Sequence, residues 1–145
     1  MTVLNRKVDT DDDGSGTVGT VRNNSWLQDL QDRIVAAYDR VVGSLDNGSS
    51  GTAKTIDWSS GAYQRLTLTG NVTLTFSNAA HGDRLALLTT QGAGPYTITW
   101  PATVVWPGGS APTITTTNGR EDLFCFIYDS GLGKYIAASS LNYNA

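Results

Sequence analysis

The sequence predicts a mainly β chain: an antiparallel β-sandwich or jelly-roll-like domain preceded by an extended N-terminal arm and one α-helix. Three observations carry that expectation. From Lys54 onward the apolar residues recur with a period of two, the apolar runs are short and separated by Gly-, Asn- and Pro-containing connections, and one stretch alone, from Ser25, repeats at three and four. The light charge, 16%, and the 16 glycines fit a turn-rich architecture, and 145 residues suffice for one domain with a real core. Four segments follow from the changes of pattern: an arm at 1–24, a helix at 25–45, a linker at 46–53 and a β domain at 54–145.

The arm carries Gly14, Gly16 and Gly19 among Thr, Ser and Asn with almost no apolar periodicity. Within "VDTDDDGSGTVGT", Asp9, Asp11, Asp13 and Gly14 match the start of an EF-hand calcium loop, where alternating carboxylates converge on a hard cation. The match then stops. The twelfth position, which should hold a bidentate Glu, is Thr20, and no flanking helices precede Ser25. We read the stretch as an acidic arm that orders on a partner, with Val8, Asp9, Asp11, Asp12, Asp13, Val18 and Val21 as anchoring residues, and assign no metal and no cofactor.

In "NNSWLQDLQDRIVAAYDRVVGSLDNG", Ser25 and Gln28 have the spacing of a capping box, and Gly43 supplies a C-terminal stop. Leu27, Leu30, Ile34, Ala37 and Val41 form a seam at heptad-like spacing, with Trp26 beside it, while Asp29 and Arg33 can pair on the wet face. Two readings fit: an amphipathic helix lying on its own domain, or an oligomeric neck whose seam is buried in a two- or three-stranded bundle. The Gly/Ser-rich stretch Asp46 to Thr52 favours the neck, because it reads as a loose attachment.

Beyond it, "YQRLTLTGNVTLTF" alternates Leu66 and Leu68 with polar residues, turns at Gly70-Asn71 and resumes with Val72, Leu74 and Phe76, the pattern of a β-hairpin. Further strands are expected at 84–90, 96–100, 103–106, 113–117, 122–129 and 134–139. The run Leu123 to Tyr128 is apolar on both faces, which predicts a central strand with Cys125 buried in it.

Several function classes are disfavoured. A net charge of −3 and a pI near 4.8 leave no basic surface for nucleic acid or for an anionic membrane. No apolar run reaches the ~18 residues of a membrane span, and "MTVLNRKVDT" has no signal-peptide core, so a soluble, unprocessed chain is expected. One cysteine allows no internal disulfide. The single histidine, His81, stands in a turn-like "NAAHGDR" without a nucleophile motif, and the β domain offers one glutamate, Glu121, beside Asp122, with Asp57, Asp83 and Asp129 scattered. No zinc spacing and no phosphate loop is present. We therefore expect no enzyme.

The aromatic residues say more. "TWPATVVWPGGSAPT" repeats Trp-Pro at Trp100 and Trp106, and proline ends a strand or sits at an edge, which leaves each tryptophan at a rim. Three uses fit a rim tryptophan: plugging the end of the core, a hot spot at a subunit interface, or a stacking platform for sugar rings.

Taken together, "GNVTLTF", "TITWPATVVWPGGSAPT" and the closing "DLFCFIYD" resemble the β-domains of tailed-phage virion proteins, namely fibres, tail proteins and capsid-attached fibres; "DDDGSGTVGTVRNNSWLQDLQDRI" is similar to their attachment arms and short helices. The resemblance implies homotrimers with a three-stranded neck and a β knob, and implies no catalytic residues. It also implies a virion location, on capsid or tail, with assembly in the host cytoplasm, and a second virion protein as partner of the arm. This chain is short and lacks shaft repeats, so a capsid decoration or head fibre is the expected role, with a tail or baseplate fibre that binds host glycan through Trp100 and Trp106 as the alternative.

Overall fold

The computed structural model describes residues 25–144, apart from the side chains at 25–27, 41 and 42, so the arm with its anchoring residues lies outside the described residues. The chain divides into two units, Met1–Val35 and Ala36–Ala145. Helix α1, Ser25–Val42, forms where the sequence has good helix formers and no proline. The Gln28 amide donates to the Asp32 carboxylate at 2.9 Å, an i,i+4 bond along the helix surface, while the Ser25 side chain of the expected capping box lies outside the described residues. Gly43 ends the helix. Its N–H donates to the Asp39 carbonyl at 2.7 Å, and a Cβ at this position would stand 2.1 Å from the same oxygen, so only glycine can close the turn.

The second unit is built from β1 (Ser44–Ser49), β2 (Ala53–Asp57), β3 (Tyr63–Leu68), β4 (Val72–Ser77), β5 (Arg84–Gln91), β6 (Ile98–Thr99), β7 (Val104–Val105), β8 (Arg120–Asp129) and β9 (Lys134–Asn144). Among the described residues these make a six-stranded sheet in the order β1-β3-β5-β8-β9-β7 and a three-stranded sheet in the order β2-β4-β6. A mainly β domain with one preceding helix is thus what the chain forms. The pairing sense differs from the expected antiparallel one. β1, β3 and β5 run parallel, as do β2, β4 and β6; antiparallel pairing is confined to β5-β8-β9. Strands 1 to 6 alternate between the sheets, so the chain winds through stacked two-strand coils, the geometry of a short β-solenoid, before β8 and β9 finish the larger sheet.

Backbone bonding continues around the corners of the coils: Ser50 N–H donates to the Thr67 carbonyl at 2.8 Å, Thr73 N–H to Thr52 at 3.0 Å, and Val72 N–H to Thr97 at 2.9 Å. The corners therefore satisfy polar groups that a loose loop would leave to water. Gln64, fully buried, does the same at the opposite corner, where its amide donates to the Asp57 and Gly61 carbonyls at 2.7 and 3.0 Å and accepts from Asn47 at 2.9 Å.

Three expectations are corrected. The "LTGNVTLTF" stretch is not a hairpin: β3 and β4 lie in different sheets, with Gly70-Asn71 at a coil corner. The Asp46–Thr52 stretch is not a linker, since β1 occupies most of it and pairs with β3. The 113–117 segment joins no sheet; Ile114 buries its side chain in the core instead.

The core lies between the two sheets, from Ile56 and Trp58 through Leu66, Leu68, Val72, Leu74, Leu85 and Leu87 to Phe124 and Phe126. β8 is central in its sheet, as its apolar character predicts, yet Cys125 is exposed. The strand shows Phe124 and Phe126 to the core and turns Cys125 to the sheet's other face, where it is exposed among the described residues.

Candidate functional site

Trp100 and Trp106 come together. Trp100 follows β6 and Trp106 follows β7, and the two indole rings meet edge to face at 5.1 Å between centroids. Trp100 packs on Phe124 at 4.7 Å, and Trp106 lies 6.0 Å from the same ring and 6.2 Å from Phe126. Both tryptophans are half-buried against the core. They extend an aromatic cluster in which Phe76 contacts Trp58, Phe126 and Tyr135 at 5.3, 5.2 and 5.1 Å. Edge-to-face packing places positive ring edges on negative faces and adds roughly 0.5–1.5 kcal/mol per pair beyond area burial. The tryptophans thus close one border of the core and remain partly exposed there.

The helix presents a different surface. Leu30 is 47% exposed, Ile34 60% and Tyr38 60%, at a spacing of four along one side, with Ala37 also exposed. Sequence reasoning passed over Tyr38, although it continues the Leu30–Ile34 spacing. The remaining seam positions, Trp26, Leu27 and Val41, have side chains outside the described residues. Asp29 and Arg33 pair at 3.7 Å with both side chains largely in solvent.

Several charged residues are engaged in local bonds. Arg40 donates from Nε and Nη2 to Asp83 Oδ2 at 3.1 and 2.9 Å and also to the Asn78 carbonyl. Asp83 further accepts from the Ala80 N–H at 2.7 Å, so this pair fixes the connection between β4 and β5. Asp57 caps the short turn after β2; the Ser59 hydroxyl bond first, then the Asn78 amide and the Ser59 N–H, with a smaller contribution from the Arg40 charge, hold its pKa below the usual value. Burial pushes the Tyr135 hydroxyl up. His81 is exposed; its Nδ1 accepts the Ser130 N–H at 3.1 Å and lies 3.8 Å from the Asp129 carboxylate. A depression of about 350 Å³ is lined by Arg40, Ala62, Asp83, Arg84 and Leu85, next to the Arg40–Asp83 pair.

Among the described residues, no group of three or more His, Cys, Asp and Glu side chains is placed to hold a metal ion, and no helix is long and apolar enough to cross a membrane. What the residues bring together is apolar: a tryptophan pair at the border of the core and a row of exposed side chains on the helix. In comparisons with known proteins, no family model, no curated protein and no solved structure matches the chain.

Proposed function

We propose that the chain is a structural protein of a tailed-phage particle: a short homotrimeric knob held to the particle by its N-terminal arm, as a capsid decoration or head fibre. The observation that carries the reading is the helix surface, where Leu30, Ile34 and Tyr38 stand 47–60% exposed at four-residue spacing. Three large apolar residues in a row cost solvation while they stand uncovered, and a bundle of parallel helices buries such a row. The resemblance of the Gly70–Asp129 sequence to phage virion β-domains supplies the particle context. A β unit whose polar groups are absorbed in corners and caps suits a knob that bears load.

Native mass spectrometry of the purified chain tests the self-association: a species near three times 15.4 kDa is expected, and a monomer at micromolar concentration overturns it. Antibody labelling of intact particles then tests the location. Label on the head supports the decoration reading, and label confined to the tail replaces it with the fibre reading, in which Trp100 and Trp106 would meet host glycan.

A further inference from the structure

A sheet with one solvated face alternates apolar residues inward with polar residues outward. The six-stranded sheet breaks this rule on the side away from the core. Ile127 on β8, Ile136 on β9 and Val105 on β7 stand directly beside one another across three strands and are 50, 47 and 40% exposed. The next row across the sheet is Tyr63, Ala86, Cys125 and Ala138, with Tyr63 38% exposed and the Cys125 thiol in the open.

We infer that this outer face is the surface through which the β units of neighbouring copies of this chain pack about the three-fold axis, a second interface of the homotrimer proposed above, on which the inference rests. The area fits. Ile127, Ile136, Val105 and Tyr63 together expose on the order of 300 Å² of apolar surface, within the range of the largest and often functional patch of a monomer and a fitting apolar centre for an interface of about 800 Å² per partner. The charge pattern selects a second copy over a partner of one sign. At one end of the face Arg84 stands beside Ile127 in register, and Asp129 beside Lys134; at the other end Arg65 pairs with Glu121 at 3.4 Å. Both ends carry both signs, so copies of this face meet about the axis without a like-charge excess, with an apolar centre and a polar rim. Ile and Val on neighbouring strands also give the flat, branched surface that packs well face to face.

Cys125 is the chain's single cysteine and lies within this face, so its alkylation rate reports whether the face is covered. The experiment alkylates the full-length native protein with iodoacetamide at a concentration where native mass spectrometry shows oligomer, beside the urea-unfolded chain and the Ile136→Lys variant. The expected result is at least tenfold protection of Cys125 in the native oligomer, lost in Ile136→Lys together with part of the association. Oligomers whose Cys125 reacts as fast as in the unfolded chain overturn the sheet interface while leaving helix-driven association standing. A monomeric wild type overturns both. Because Ile136 is half in solvent in the single chain, lysine is compatible with the fold, and an unchanged circular dichroism spectrum verifies this.

Discussion

The carboxylate of Asp122 grips Thr115 from two sides: Oδ2 accepts the Thr115 N–H at 2.6 Å and Oδ1 accepts the Thr115 hydroxyl at 2.7 Å. Asp122 is only 3% exposed, and Oδ1 also accepts the Asn142 N–H at 2.8 Å, at the bulge where the β8-β9 register shifts and Asn142 takes a φ of 66°. One side chain thus ties the unpaired 113–117 segment to the sheet and caps the bulge. Asp122→Ala leaves three part-buried donors without their acceptor and should lower unfolding stability by about 3 kcal/mol, since each falls at the low end of the roughly 1–3 kcal/mol that a buried unpaired group costs. Urea unfolding checks it, and a loss under 0.5 kcal/mol would mean water replaces the carboxylate at little cost.

Close approach at a coil corner makes the next prediction. A Cβ on Gly92 would sit 2.2 Å from the Leu68 carbonyl oxygen, a backbone atom that cannot swing aside. Gly92→Ala should destabilise by roughly 1–3 kcal/mol through overpacking, with faster hydrogen exchange centred on β3 and β5. Unchanged exchange there would show that the corner can open without disturbing the strands beside it.

Asp57 gives the fold a pH dependence of known sign. Its folded pKa is depressed by the bonds from Ser59 and Asn78, so the contribution is present above the unfolded value of about 3.9 and is lost as pH falls through the lower folded value. The difference in urea midpoint between wild type and Asp57→Asn should be constant from pH 7 to about 5 and shrink toward zero as pH drops below 4. A difference that persists at pH 2 would assign the effect to the geometry of the turn and remove the charge from it.

The sequence announces strands more clearly than their partners. Leu66, Leu68, Val72 and Leu74 alternate in either a hairpin or two stacked coils, because both arrangements send these residues inward; the turn chemistry at Gly70-Asn71 suits both. Pairing is a non-local property, and β3 finds β1 and β5 at distances along the chain that no window reveals. β1 stays hidden because an edge strand reading "SLDNGS" has no apolar alternation to display. The Trp-Pro repeat, a local signal, correctly places Trp100 and Trp106 at a border of the core. Cys125 goes the other way. A strand apolar on both faces predicts burial on both, and the described residues cover just one, so the difference at Cys125 itself marks surface that a second copy is proposed to cover.

The helix makes the last prediction. Ile34 and Leu30 are exposed in the single chain, so Ile34→Asp and Leu30→Asp should leave the β unit folded, whereas in a helix bundle each would bury an unpaired charge, a cost of several kcal/mol. The expected outcome is a shift from a species near three times 15.4 kDa to the 15.4 kDa chain at micromolar concentration, with an unchanged near-ultraviolet spectrum. Arg33→Ala is the contrasting variant. It removes a solvent-exposed i,i+4 ion pair worth about 0.2–0.5 kcal/mol, and should leave the association state as it was. If Ile34→Asp and Arg33→Ala behave alike, the helix row is not buried between copies, and any association of the chain must run through another surface.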